Sequence, residues 1–290
     1  MCGIVGYIGS KKASDIVIKG LKRLEYRGYD SAGLSTIEEN KFHTSKCKGK
    51  VEDLQNSRGI DKHISSIGIG HTRWATHGEP NVSNAHPHHD CSKKFSLIHN
   101  GIIENHYSIK EFLIKKGVEF SSDTDTEVLV QFIGYLYKTK KLNFYETVKL
   151  ALKEVVGTYG IVVMCIDEPD KLIAAKKGSP LLIGIGEKET FLSSDVSAIL
   201  DYTRNILYLD DDEIALIDND GYSIKHISHE QEIIKDIKEI EFTLEQIEKG
   251  NYKHFMLKEI FEQPKAILDS IRGRIDENNT VKLGGISDYI

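Results

Sequence analysis

Positive charge is in short supply in this sequence. Its 290 residues carry 38 Lys and Arg against 44 Asp and Glu, a net charge of −6, and only seven of the basic residues are Arg. That balance excludes a general binder of nucleic acid or of anionic membranes. Cysteine is scarce too. The four present, Cys2, Cys47, Cys91 and Cys165, form no CxxC pair and no regular spacing, so neither a zinc site nor a disulfide scaffold is suggested. Long apolar runs are missing: stretches such as residues 161–166 are far too short to span a bilayer. No cleavage pattern follows the short, weakly apolar segment after Met1 and Cys2, so a cytoplasmic setting is expected. What is abundant is ordinary. Hydrophobic residues at 40% and charged residues at 28% fit a folded globular chain and exclude disorder as its main state.

Periodicity predicts a mixed α+β protein. Residues 3–9 have strand character, and Ser10 is placed to cap a helix whose Ala13, Val17, Leu21 and Leu24 share a face. Strands are expected at 33–37, 41–45, 67–70 and 95–99. A helix follows with Ile109, Phe112 and Leu113, ending at Lys115-Lys116-Gly117. Leu129, Phe132, Ile133 and Leu136 recur at i, i+3, i+4 and i+7, and Asn143 with Glu146 reads as a capping box before Val148, Leu152 and Val155. Further strands are expected at 160–166, 172–175, 181–185, 190–192 and 214–217. Strands and helices come in groups, not in steady β-α-β alternation, which predicts stacked layers of antiparallel sheet covered by helices. From about residue 234 the chain turns charged, with a helical stretch over 239–249 running on through 258–264. A domain of residues 1–240 followed by a linker of 241–290 is expected.

Four clusters could carry chemistry. If Met1 is removed, Cys2 offers a thiol and an α-amine on one residue. Their reference pKa values, about 8.5 and about 7.7–8.0, allow the amine to take the thiol proton and later return it. The plain alternative is a small residue at position 2 by chance. His71-Thr72-Arg73-Trp74-Ala75-Thr76-His77-Gly78 leads into a loop suited to a small polar ligand, since Arg offers a planar fork for carboxylate. A surface loop anchored by Trp74 explains it equally well. His99-Asn100-Gly101 holds an amide and a backbone N–H that could converge on one oxyanion, or it is a simple Asn-Gly turn. Ser122-Asp123-Thr124-Asp125-Thr126-Glu127 caps the strongest helix, and one of its carboxylates could hold a ligand ammonium. The histidine-rich 86–91 segment is read as a hydrogen-bonded loop and not a metal site, because Pro87 breaks helical ligand spacing and no second ligand cluster follows. The acidic run 210–213 is read as a solvated turn.

Taken in order, Met1-Cys2-Gly3-Ile4-Val5-Gly6, the 23–33 segment RLEYRGYDSAG, the 71–78 segment, His99-Asn100-Gly101-Ile102-Ile103-Glu104-Asn105 and Thr124-Asp125-Thr126-Glu127 resemble one family. It is the glutaminase domain of glucosamine-6-phosphate synthases, which are class II glutamine amidotransferases of the N-terminal-nucleophile hydrolase superfamily. The resemblance implies a four-layer αββα sandwich and no cofactor or metal. It implies glutamine hydrolysis through a Cys2 thioester, with Asn100 and Gly101 as oxyanion donors and Arg27 positioning the nucleophile. Arg73, with Thr76 and His77 beside it, would bind the α-carboxylate and Asp125 the α-ammonium, while Trp74 would gate ammonia. Fructose 6-phosphate would be met only through sugar-isomerase domains expected beyond this chain, and a homodimer or a separate isomerase would be the partner. Two other readings stand beside it: the glutaminase of another class II synthase, such as an amidophosphoribosyltransferase or asparagine synthetase, and a non-catalytic module.

Overall fold

A computed structural model describes residues 2–74, 79–241, 252–271 and 281. The chain divides into two compact units, Met1–Glu241 and Phe242–Ile290. In the second, the helix Phe255–Ile271 carries Pro264 within it, and Phe261 stacks on Tyr252 with ring centroids 5.7 Å apart.

The first unit is an αββα sandwich. One sheet has eight strands: β1 (Gly3–Ile8), β2 (Ser31–Glu38), β3 (Lys41–Lys48), β4 (Ile67–Arg73), β9 (Leu182–Gly186), β10 (Glu189–Ser193), β11 (Asn205–Tyr208) and β14 (Lys238–Glu239). Their order is β14-β11-β9-β10-β1-β4-β2-β3. The second sheet has six: β5 (His88–His89), β6 (Phe95–Ile103), β7 (Gly157–Cys165), β8 (Glu168–Lys177), β12 (Glu213–Ile217) and β13 (Tyr222–His226), ordered β13-β12-β8-β7-β6-β5. Every named pairing is antiparallel. Helices α1 (Ala13–Leu24) and α2 (Val51–Gln55) cover the first sheet. Helices α3 (His106–Ile114), α4 (Asp125–Lys140) and α5 (Phe144–Lys153) cover the second.

The two-residue period of a strand sorts the core into three apolar layers. On β1, Ile4 and Ile8 face the other sheet while Val5 and Tyr7 face α1. On β7, Val162 and Met164 point between the sheets, and Ile161, Val163 and Cys165 point at α3–α5. The expected face of α1, Ala13, Val17, Leu21 and Leu24, is fully buried. Truncating a leucine there costs about 2–5 kcal/mol. Glycine on β4 lets this helix lie close, because a Cβ at Gly70 would collide with Val17.

Several expectations need correction. Lys12, not Ser10, is the N-cap of α1, without a side-chain bond; the Ala13 N–H donates instead to Ser65 O at 2.8 Å. Glu239 lies in β14, so the charged helix does not start there, and residues 242–249 fall outside the described residues. Glu213 is buried and paired with Lys235 at 2.6 Å, so the acidic run is only partly a solvated turn. The short strands β5, β11, β13 and β14 have no counterpart among the expected elements.

Candidate functional site

Two strand ends, one from each sheet, meet at Cys2. Pairing of Gly3 with Thr72 and Ile4 with His71 carries the chain start alongside the end of β4. There the Trp74 N–H donates to Cys2 Sγ at 3.2 Å, and the thiol lies 3.6 Å from Trp74 O. From the other sheet, β6 runs on through Asn100 and Gly101, so this dipeptide is strand and not a turn. The Asn100 Nδ2 donates to Cys2 O at 3.1 Å. Gly101 pairs with Tyr159 at φ +130°, and a Cβ there would collide with Thr158 O. Only glycine suits that conformation.

A cavity of about 290 Å³ opens over these residues. Its lining includes Cys2, Arg27, Arg73, Trp74, Asn100, Gly101 and Asp125, all singled out from the sequence. Arg73 is the last residue of β4, so His71, Thr72 and Arg73 belong to a strand and are buried, not part of the loop that follows. Trp74 is 53% exposed, so it is not a packed anchor. Arg27 ends the short turn after α1, donating to Ser194 O at 3.4 Å and pairing with Asp195 at 3.6 Å. Asp125 opens α4 behind the Thr124 cap, whose hydroxyl accepts the Glu127 N–H at 3.1 Å. The Asp125 carboxylate is buried and accepts the Ile103 N–H at 2.8 Å. Two guanidinium groups and a carboxylate therefore line one small pocket with a thiol. Thr76 and His77 lie outside the described residues. The cavity also takes Thr158, Ser179 and Pro180, which no motif marks. They reach it from β7 and the turn after β8, and only the fold brings them there.

Burial raises the Cys2 thiol above its ordinary pKa, and the Trp74 N–H opposes that only in part. The resting thiol is therefore protonated. The histidine-rich segment forms a neutral buried cluster whose His86, with His99, lines the cavity. Burial, with the nearby cations and neighbouring histidines, holds His86 and His88 well below the usual range. Burial outweighs the attraction of Asp125 at His99. His71 falls to about 3, and His63, in its own buried site between Thr36 and Ser45, to about 4. Among the described residues, no three His, Cys, Asp or Glu side chains are disposed to hold a metal ion.

These shifts make stability depend on pH. An unfolded histidine binds its proton below about 6.5, whereas folded His63 and His71 stay neutral down to about 4 and 3. Stability is complete above pH 6.5 and falls as pH drops towards those folded values. At pH 5 each of the two sites should cost about 2 kcal/mol. Urea unfolding at pH 7.5 and pH 5 should register the loss, with proton uptake on unfolding at pH 5.

Residues 33–255 match the model of the glutamine amidotransferase domain family. This chain belongs to that family. A Bacteroides thetaiotaomicron protein named glutamine–fructose-6-phosphate aminotransferase [isomerizing] is 53% identical over all of the chain and 47% of its own length. A Pyrococcus horikoshii protein of the same name is 50% identical over 96% of the chain and 46% of its own length. The chain thus spans about half the length of the curated relatives it matches. Among solved structures, the glutamine phosphoribosylpyrophosphate amidotransferase of B. subtilis superposes with a TM-score of 0.68 at 25% identity, over 78% of this chain and 49% of that one. The family fold, an αββα sandwich of the N-terminal-nucleophile type, is the fold described above.

Proposed function

We propose that the chain hydrolyses glutamine to glutamate and ammonia, as the ammonia-supplying half of a glutamine–fructose-6-phosphate aminotransferase. The observation that carries this is the Cys2 thiol in one pocket with Arg73 and Asp125. Opposite charges there select the amino-acid end of glutamine and leave its amide towards the sulfur. With Met1 removed, the Cys2 α-amine takes the thiol proton and Sγ attacks the amide carbon. One Asn100 Nδ2 hydrogen is committed to Cys2 O, and the second, with the Gly101 N–H, holds the oxyanion. The amine returns the proton to the leaving nitrogen, the C–N bond breaks, and ammonia departs from a γ-glutamyl thioester. Water then cleaves the thioester, releasing glutamate and restoring the thiol. The motif assigns Thr76 and His77 to the carboxylate with Arg73, Arg27 steadies the nucleophile's surroundings, and exposed Trp74 gates the way out for ammonia.

Identity of about half across the whole chain favours this branch over the phosphoribosylpyrophosphate amidotransferases, at 25% over 78%. In this reading fructose 6-phosphate is handled by the part of those relatives that this chain does not match. The test is incubation of Met1-free protein with L-glutamine. Glutamate and ammonia should appear in equal amounts, and analogues lacking either the α-ammonium or the α-carboxylate should be poor substrates. Absence of both hydrolysis and Cys2 labelling by an electrophilic glutamine analogue would contradict the proposal.

A further inference from the structure

The inner faces of the two sheets are hydrocarbon along most of their contact, yet one polar pair is built between them. On β4, Ile69 points into the inter-sheet core, and His71, two residues on, shares its face. On β6, Ile98 points into the same core, and Asn100 shares that face. The two side chains meet with His71 Nε2 2.8 Å from Asn100 Oδ1. The His71 ring is wholly buried and stacked on His86, with centroids 4.2 Å apart and planes 23° apart.

The hydrogen-bond directions follow from chemistry. Cys2 O can only accept, so the Asn100 atom facing it is the Nδ2 donor. Asn100 Oδ1 can only accept in turn, so His71 must carry its proton on Nε2. Among the described residues its Nδ1 has no hydrogen-bond partner. The ring is held neutral by burial, with a value of about 3.

We infer that His71 is the positioning residue for the oxyanion site: its Nε2–H holds the Asn100 amide in the one orientation that turns a donor towards the substrate. This rests on the glutaminase reading above. An amide rotated by half a turn would set Oδ1 against Cys2 O and present an acceptor to a developing negative charge. His71 and Cys2 O together bar that rotation, and His71 supplies the half that reads the oxygen. The effect is on the transition state and not on glutamine capture, because His71 is not among the residues lining the cavity.

The test is a set of variants in the full chain, with kcat and KM for glutamine measured separately. His71→Leu keeps bulk and removes the donor; it should lower kcat by about tenfold to a hundredfold and move KM by less than about twofold. His71→Gln, which can return an N–H near the same place, should recover most of that loss. In an Asn100→Ala background His71→Leu should cost less than about threefold, because the group it orients is gone. The pH dependence of kcat should keep its shape in the Leu variant, since no titration at His71 contributes to it. If His71→Leu does not fold by thermal melting, His71→Asn, whose amide stops short of Asn100, replaces it. Unchanged kcat in the Leu variant would overturn the inference, as would losses that simply multiply with Asn100→Ala, or Gln no better than Leu. An inactive, unlabelled wild-type chain would instead refute the glutaminase reading itself.

Discussion

Replacing Cys2 by alanine is expected to lower glutamine hydrolysis by a factor on the order of 10⁴ or more, because the group that forms the covalent intermediate in the proposed mechanism is gone. The fold should survive. The Cys2 side chain is only partly buried, and it makes one accepted bond from the Trp74 N–H and one long contact to Trp74 O. A change in unfolding free energy of less than about 1 kcal/mol should follow. Glutamine binding should persist as well, since Arg73 and Asp125 stay in place. Calorimetric titration of the Ala variant with glutamine separates the two effects: binding near the wild-type level with no turnover is the expected pair. Loss of both would point to a collapsed pocket and not to a missing nucleophile.

The second large effect concerns Asp125. Asparagine at this position keeps the shape and an oxygen to accept the Ile103 N–H; it removes the charge and exchanges the other oxygen, which accepts the Thr126 hydroxyl at 3.4 Å, for an amide donor. KM for glutamine should rise by about a hundredfold with kcat within a few fold, the cost of leaving a buried ligand cation without its partner. The wild-type preference for glutamine over an analogue lacking the α-ammonium should narrow in parallel. Asp125→Ala should do more damage, since the Ile103 N–H would be orphaned in a buried place at about 1–3 kcal/mol of stability. Steady-state kinetics with both substrates and a melting curve for each variant distinguish charge loss from structural loss.

Much of this was legible in the residues, and the reasons differ from place to place. The α1 and α4 faces could be read because apolar residues recur there at helical spacing, and β1 because it is a short unbroken apolar run, buried at every position. Alternating Ile and Gly at 67–70 was readable as a strand, but not as the place where a helix needs bare backbone; that required knowing that Val17 lies over Gly70. Ser10 was misjudged as a cap because local preference cannot see Ser65, whose carbonyl already takes the Ala13 N–H. Asn100-Gly101 admitted a turn because that dipeptide usually makes one. In the structure β7 pairs with it along its length, and Gly101 keeps its unusual φ inside the ladder. Arg73, Asp125 and Cys2 were recognisable as chemistry-bearing residues from their motifs. Thr158, Ser179 and Pro180 were not, since their presence at the pocket depends wholly on how β7 and the turn after β8 cross the strand ends. His71 lies within a motif, yet its bond to Asn100 crosses between two sheets and has no trace in local sequence.

The most direct test is intact-mass analysis of Met1-free protein quenched in acid during turnover of glutamine. A γ-glutamyl adduct should appear on the wild-type chain, map to the Cys2 peptide, disappear as glutamine is exhausted and be absent from Cys2→Ala. Turnover at the wild-type rate by Cys2→Ala, or an adduct on Cys47, Cys91 or Cys165 instead, would contradict the account.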